Sequence, residues 1–251
     1  MFNKHPKGLI AAALANLGER FGFYTMMAIL VLFLQAKFGM NGKEAGFIYS
    51  TFYFSIYILA LVGGIIADKT RNYKGTIFTG IVLMAVGYLL LAIPSKTPVD
   101  NKMLYLVITC ASLFVIAFGN GLFKGNLQAL VGQMYDNPQY ANMRDSGFSL
   151  FYMFINIGAI FAPFAAVGVR NWWLSTFGYN YDADLPALCH GQLAGTLSPE
   201  ATETYHTLVT KASTAPVQDY TAFASDYLNV FTTGFHYAFG VAIIAMAISC
   251  L

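Results

Sequence analysis

Three charged residues stand in stretches of sequence that are otherwise almost entirely apolar. Glu19 and Arg20 are adjacent in NLGERFGFYTMM, and Lys124 lies in GNGLFKGNLQ. These groups can take up a proton and bind an anion. Each charge costs about 2.5–3.5 kcal/mol or more at the centre of a bilayer, so a functional role is the first interpretation. The alternative is a self-contained ion pair that only fixes helix packing, and it is less favoured because buried pairs stabilise poorly.

The balance of these charges predicts how such a site would work. One carboxylate can neutralise only one of the two cations. The remaining cation is costly in a low dielectric unless water or a visiting anion completes it. A substrate carboxylate would do so, and protonation of Glu19 would release the second cation. Tyr24 is one turn from Arg20 and shares its helix face, so its hydroxyl extends the site.

The composition indicates the kind of protein that must position these residues. Of the 251 residues, 57% are hydrophobic and only 10% are charged, whereas a soluble domain carries about 25% charged residues. The chain is therefore predicted to be an integral membrane protein. A net charge of +2 offers no basic surface for nucleic acid. The three cysteines are far apart and have no metal-ligand spacing, so we predict no metal site and no cofactor.

Six segments are long and apolar enough to cross a hydrocarbon core of about 30 Å as helices. They are approximately Leu9–Leu34, Glu44–Ala67, Thr76–Ile93, Met103–Met134, Phe148–Gly168 and Val230–Leu251. This predicts helices 1–5 within residues 1–169, a polar insertion at 170–229 and helix 6 at 230–251. In the insertion, Ser198 followed by Pro199 predicts the start of a short helix. The sixth span ends at the last residue without a polar tail, as in a chain cut from a longer protein.

Basic residues predict the orientation in the lipid bilayer. The densest basic cluster, DKTRNYKG at 68–75, occupies a short loop, and short loops of this kind favour the cytoplasmic side. The N-terminus would then be cytoplasmic and the insertion extracytoplasmic. We expect a multi-pass protein of the cell inner membrane.

Four stretches follow the order of the signatures of one known family. NLGERFGFYTM resembles a first-helix signature written ExxERFxYY, and LVGGIIADKTRNYKGTI resembles the loop motif after the second helix. GLFKGNLQALVGQMY resembles a fourth-helix Lys-Pro-Asn motif, and RDSGFSLFYMFINIGAIFAP is close to a fifth-helix signature. These signatures belong to the proton-dependent oligopeptide transporters of the major facilitator superfamily. By this resemblance the chain is identified as the N-terminal six-helix half of such a protein.

The resemblance implies both a fold and a function. The family has two six-helix bundles that hold the substrate between them and rock to give alternating access; the second bundle is expected but absent from this chain. It implies proton-coupled symport of di- and tripeptides across the cytoplasmic membrane, so the chain would not be an enzyme. The alternative is a non-transporting membrane receptor or assembly subunit that binds a partner through residues 170–229.

The resemblance also implies residue roles, with protons and a small peptide as the ligands. Glu19 would serve proton coupling, Arg20, Tyr24, Tyr57, Lys124 and Asn156 would bind the peptide, and Asp68 and Arg71 would belong to a cytoplasmic gate. The chain departs from the family pattern at four positions. Asn16 replaces the first glutamate of the signature, Phe23 a tyrosine, Met27 an arginine and Gly125 a proline. Asn72 stands where glycine is common, and asparagine tolerates a left-handed backbone.

Overall fold

The computed structural model describes residues 4–250, and over this range the chain is built from α-helices. In chain order they are α1 (Gly8–Phe38), α2 (Gly42–Thr70), α3 (Tyr73–Ala92), α4 (Lys102–Met134), α5 (Arg144–Thr176), α6 (Leu185–Ala194), α7 (Pro199–Ala212) and α8 (Tyr220–Ser249). One turn of 3₁₀ helix precedes α5. The described residues contain no β-strand beyond a single antiparallel bridge between Tyr179 and Ser213. The prediction of an all-α protein is confirmed.

Six of the helices, α1 to α5 and α8, are long and apolar enough to cross a membrane. The shortest of them, α3, has 20 residues, which at 1.5 Å per residue matches a hydrocarbon core of about 30 Å. The prediction of six spanning helices is therefore confirmed by length and composition.

The ends of two spanning helices differ from the sequence prediction. Helix α5 continues to Thr176 rather than ending at Gly168, and α8 begins at Tyr220 rather than Val230. Hydropathy falls where polar residues begin, but backbone hydrogen bonding continues as long as side chains can pack. The ring of Trp173 in α5 does so against Tyr237 in α8, with centroids 4.6 Å apart. The predicted last residue of the sixth span, Leu251, lies outside the described residues.

The polar segment between α5 and α8 holds the two short helices α6 and α7. Ser198 starts α7 as predicted, because its side chain accepts a hydrogen bond from the amide of Ala201 at 3.2 Å. The segment is tied to the bundle. His190 in α6 contacts the carbonyl oxygen of Ala36, in the last turns of α1, at 2.8 Å. The segment thus lies at the end of the bundle where α1 finishes; its extracytoplasmic location stays a prediction.

The six long helices pack as two groups of three that contact each other. Helix α1 lies against α5 and α8, while α4 lies between α2 and α3. Glycines permit the closest approach in the second group. A Cβ at Gly63 in α2 would lie 2.2 Å from the carbonyl oxygen of Gly121 in α4. Only a residue without a side chain fits this crossing, as is common between membrane helices.

The turn between α2 and α3 corrects one expectation. The left-handed residue is Arg71, with φ of 52°, and not Asn72. Asn72 has φ of −119° and instead caps α3, accepting a hydrogen bond from the amide of Gly75 at 2.9 Å. Helix α2 continues through Thr70, so the residue that closes it takes the left-handed conformation before Asn72 is reached.

Large apolar side chains are exposed on the outer helices. Phe47 and Leu61 in α2 are 74% and 71% exposed, and Phe164 in α5 is 73% exposed. Water-soluble proteins rarely expose contiguous apolar patches of this kind. These faces suit contact with lipid or with further helices.

Candidate binding site

The centre of the candidate site is an ion pair between two neighbouring residues of α1. Arg20 Nε donates to Glu19 Oε2 at 2.5 Å, and Arg20 Nη2 donates to Glu19 Oε1 at 2.6 Å. Glu19 is 0% exposed and Arg20 is 5% exposed. Two parallel charge-assisted hydrogen bonds are the strongest geometry that a carboxylate and a guanidinium can adopt. Both oxygens of the single buried acid of α1 therefore accept a hydrogen bond from its own neighbour.

A third donor reaches the same carboxylate from α4. Asn120 is completely buried and donates from Nδ2 to Glu19 Oε1 at 2.6 Å. This bond joins α1 to α4 in the interior of the bundle. Glu19 thus accepts three N–H bonds.

Aromatic rings cover the other side of the guanidinium. The Arg20 Cζ atom lies 4.6 Å from the ring centroid of Phe23 and 5.9 Å from that of Tyr24. Both distances are within the range of cation–π attraction. Tyr24 is half-buried, so this part of the site reaches the edge of the core.

Lys124 is left without a carboxylate within the described part of the chain. It lies on α4 one turn after Asn120, the residue that binds Glu19. Its Nζ is 5.5 Å from the ring centroid of Tyr57 in α2. Tyr57 is 52% exposed, and its hydroxyl donates to that of Tyr53 at 3.1 Å. A half-buried cation and two accessible tyrosines therefore lie next to the buried pair.

The remaining predicted site residues lie on α5 and at the end of α2. Asn156 is exposed on α5. In the loop region, Asp68 accepts a hydrogen bond from the hydroxyl of Tyr73 at 2.5 Å, while Arg71 is exposed in the left-handed turn. Asp68 and Arg71 do not form an ion pair with each other in the described structure.

Sequence reasoning missed two polar residues of this cluster, Asn120 and Tyr88. Tyr88 in α3 is completely buried and lies within electrostatic range of both Glu19 and Arg20. A usable signal existed only for Asn120, because it precedes Lys124 by four residues and so shares its helix face.

Two buried cations were also missed because they lie near the ends of spans. Lys37, 2% exposed, donates to the carbonyl oxygens of Ser95 and Lys96. Arg170, 4% exposed, lies inside α5 with its guanidinium 3.5 Å from the ring centroid of Tyr181. Both were assigned to loops because the predicted spans ended too early.

Comparison with known proteins identifies the class to which this fold and site belong. The POT family model matches residues 74–251, which is more than half of the chain. The chain therefore belongs to the POT family, and its resemblance to that family is confirmed. It is a multi-pass membrane protein with the helical fold of these transporters.

Two curated relatives are similar over most of the chain. A peptide transporter, YePEPT, of Yersinia enterocolitica subsp. palearctica is 34% identical over 185 residues, covering 72% of this chain and 34% of the relative. Dipeptide and tripeptide permease A of Enterobacter sp. is 34% identical over 179 residues, covering 70% of this chain and 32% of the relative. The chain spans about a third of the length of these relatives. Both are transporters, which supports the prediction that the chain is not an enzyme.

Solved structures of the family share the fold. A POT family transporter in complex with 5-aminolevulinic acid superposes with a TM-score of 0.63 at 24% identity, covering all of this chain and 38% of that one. A mutant of the peptide transporter POT in complex with alafosfalin gives a TM-score of 0.57 at 29% identity, covering 84% of this chain and 45% of that one.

Proposed function

We propose that the protein containing this chain is a proton-coupled symporter of di- and tripeptides that works by alternating access. This chain would form its N-terminal bundle. A second six-helix bundle would complete the substrate site and rock against the first. The names of the relatives from Yersinia and Enterobacter support a peptide substrate. They do not favour the alternative of a receptor or assembly subunit that uses the segment between α5 and α8.

The observation that carries the proposal is the uneven division of charge around Glu19. The carboxylate is bound by Arg20 and Asn120, so Lys124 is left as a cation without a counter-charge among the described residues. A half-buried ammonium group of this kind is completed by an anionic ligand. The terminal carboxylate of a short peptide has the required charge and size.

The residue roles are those that the family resemblance implies. Glu19 takes up the proton, the peptide is bound by Arg20, Tyr24, Tyr57, Lys124 and Asn156, and Asp68 and Arg71 act in a cytoplasmic gate. Arg20 is fully engaged while Glu19 is ionised. Protonation of Glu19 removes the negative charge that holds Arg20, so the proton and the anionic peptide favour the same state.

The orientation follows the basic loop between α2 and α3. We place this loop and the N-terminus in the cytoplasm, and α6 and α7 on the outer side of the cell inner membrane. The contact between His190 and Ala36 supports this, because it puts α6 at the end of α1 opposite its start.

The test is peptide uptake by proteoliposomes that contain the product of the complete reading frame. Radiolabelled dialanine should accumulate faster when the outside is acidic than when the pH is equal on both sides. Lys124→Ala should abolish uptake, whereas Lys43→Ala, which changes an exposed lysine at the start of α2, should leave it intact. Uptake that ignores the pH gradient would remove the coupling and keep the carrier. Absence of uptake by the folded wild-type protein would overturn the proposal.

A further inference from the structure

Three buried polar atoms on α1, α3 and α4 have no hydrogen-bond partner within residues 4–250. They are Asn16 Nδ2, Tyr88 OH and Asn120 Oδ1. All three residues are at most 5% exposed. Native structures rarely leave buried polar atoms unpaired, so a cluster of them calls for an explanation. Asn120 binds the carboxylate of Glu19 directly, Tyr88 is within electrostatic range of it, and Asn16 lies about one turn before it on α1. These groups are therefore placed to serve a second arrangement of the same cluster.

Asn120 is the member of this cluster that touches the carboxylate directly. Its Nδ2 donates to Glu19 Oε1 at 2.6 Å, while its Oδ1 is unused. An ionised carboxylate can only accept hydrogen bonds, whereas a protonated carboxyl group has one O–H to donate. The amide of Asn120 carries both a donor and an acceptor, so it can match either form.

We propose that Asn120 is a positioning residue that holds Glu19 in both of its protonation states. It donates through Nδ2 to the carboxylate and accepts through Oδ1 from the protonated carboxyl group. This rests on the proton coupling proposed above and deepens it, because it names the group that receives the hydrogen bond of the transported proton.

The step between the two states needs only a proton and a rotation. A proton from water binds one carboxylate oxygen of Glu19, one O–H bond forms, and the group becomes neutral. The amide of Asn120 then turns about its Cβ–Cγ bond, so that Oδ1 replaces Nδ2 opposite the carboxyl group. Such terminal torsions are broad and roughly two-fold, which makes the turn easy. The unpaired hydroxyl of Tyr88 can accept a hydrogen bond from the displaced Nδ2, whereas the unpaired atom of Asn16 is itself a donor.

An amide at this position also protects the free cation. Asn120 lies one turn before Lys124 on α4 and occupies the side of Glu19 that faces this helix. Because Asn120 satisfies the carboxylate without charge, Lys124 is spared for an anionic ligand. A lysine or arginine at position 120 would add a second cation to a carboxylate that Arg20 already neutralises. An acid at this position would repel Glu19.

The experiment is an infrared titration of the purified full-length protein, which follows the C=O stretch of protonated carboxyl groups as pH is lowered. The band assigned to Glu19 is the one that disappears in Glu19→Gln. In Asn120→Leu, which keeps four side-chain heavy atoms branched at Cγ but has no donor or acceptor, this band should move to higher frequency because the carboxyl O–H has lost its acceptor.

Two further variants separate this role from a structural one. Ser112→Ala removes another fully buried side chain of α4, whose hydroxyl bonds only to the carbonyl oxygen of Ile108 at 2.7 Å; it should leave the band unchanged. Asn120→Ser keeps a donor and an acceptor and should hold the band near its wild-type frequency, which serves if the leucine variant does not fold.

The proposal is overturned if Glu19 never protonates in the titration, or if Asn120→Leu or Asn120→Ser gives the opposite pattern. An Asn120→Leu band at the wild-type frequency would show that Asn120 does not accept a hydrogen bond from the protonated carboxyl group. The titration is independent of transport. A wild-type protein that shows the expected band shifts but takes up no peptide would refute the proposed function and leave the role of Asn120 standing.

Discussion

Arg20 and Glu19 are consecutive residues of α1, yet their side chains meet in a double hydrogen bond with N–O distances of 2.5 and 2.6 Å. Adjacent residues of a helix normally point about 100° apart, so both side chains must bend toward each other. They do so in the interior of the bundle, where Asn120 supplies a third donor. The pair is therefore a compact neutral unit in the present state, and its opening is the event on which transport would depend.

The first prediction concerns the stability of this unit. Arg20→Met leaves the Glu19 carboxylate buried without a cation and should destabilise the fold by about 3–5 kcal/mol. The double variant Glu19→Leu/Arg20→Met replaces the pair by apolar groups and should recover most of that loss. Thermal unfolding in detergent gives the ranking. A double variant no more stable than Arg20→Met would contradict the idea that the cost arises from the stranded charge.

The second prediction separates the function of Lys124 from its contribution to the fold. Because Lys124 has no ion pair within residues 4–250, Lys124→Ala should change stability by no more than about 0.5 kcal/mol. Its loss should weaken dialanine binding by about 10- to 100-fold, since a hydrogen bond to a charged group contributes about 1.5–3 kcal/mol. Binding is measured by ligand-dependent thermal shift. Lys124→Arg keeps the charge and should retain most of the affinity; an equally weak arginine variant would argue against a simple charge requirement.

The fold was largely predictable from the sequence because lipid imposes a simple rule on composition. Six apolar runs of sufficient length gave six helices. The helix ends were not predictable, since they depend on tertiary contacts such as that between Trp173 and Tyr237. The left-handed turn also moved by one residue, to Arg71, because the end of α2 is decided by backbone bonding and not by the residue best suited to the turn.

The charged centre of the site could be located for the same reason, because an ionised group in an apolar span is conspicuous. The pairing could not be predicted. Glu19 had two possible cationic partners, Arg20 and Lys124. Only the structure shows that Arg20 donates to both carboxylate oxygens and that Asn120, from α4, donates to Oε1. A neutral amide in a span resembles any interhelical contact, so the one signal for Asn120 was its position four residues before Lys124.

The third prediction tests the glycine crossing between α2 and α4. A methyl group at Gly63 would lie 2.2 Å from the carbonyl oxygen of Gly121, whereas nothing lies within 4 Å of one at Gly64. Gly63→Ala should therefore destabilise the bundle by about 1–3 kcal/mol. Gly64→Ala, its neighbour on the same helix, should be neutral or slightly stabilising, because alanine is the better helix former by about 0.5–1 kcal/mol. Similar melting temperatures for the two variants would mean that the helices do not cross here as closely as described.

The last prediction concerns the docking of α6 and its dependence on pH. Burial lowers the pKa of His190 from its ordinary value of 6.5, and the positive charge of Lys102 acts in the same direction. Nε2 of the neutral ring donates to the carbonyl oxygen of Ala36 at 2.8 Å. The unfolded or undocked chain takes up the proton near pH 6.5, whereas the folded chain does so only at lower pH.

Above pH 6.5, His190 is neutral in both states and does not destabilise the folded protein. The folded protein loses stability as the pH falls through 6.5 toward the lower pKa of His190 in the folded state. The melting temperature of the wild-type protein should drop over this window. His190→Gln keeps an N–H donor for Ala36 but cannot titrate, so its melting temperature should fall less steeply over the same range. Identical slopes for the two proteins would show that α6 stays docked whether or not His190 is charged.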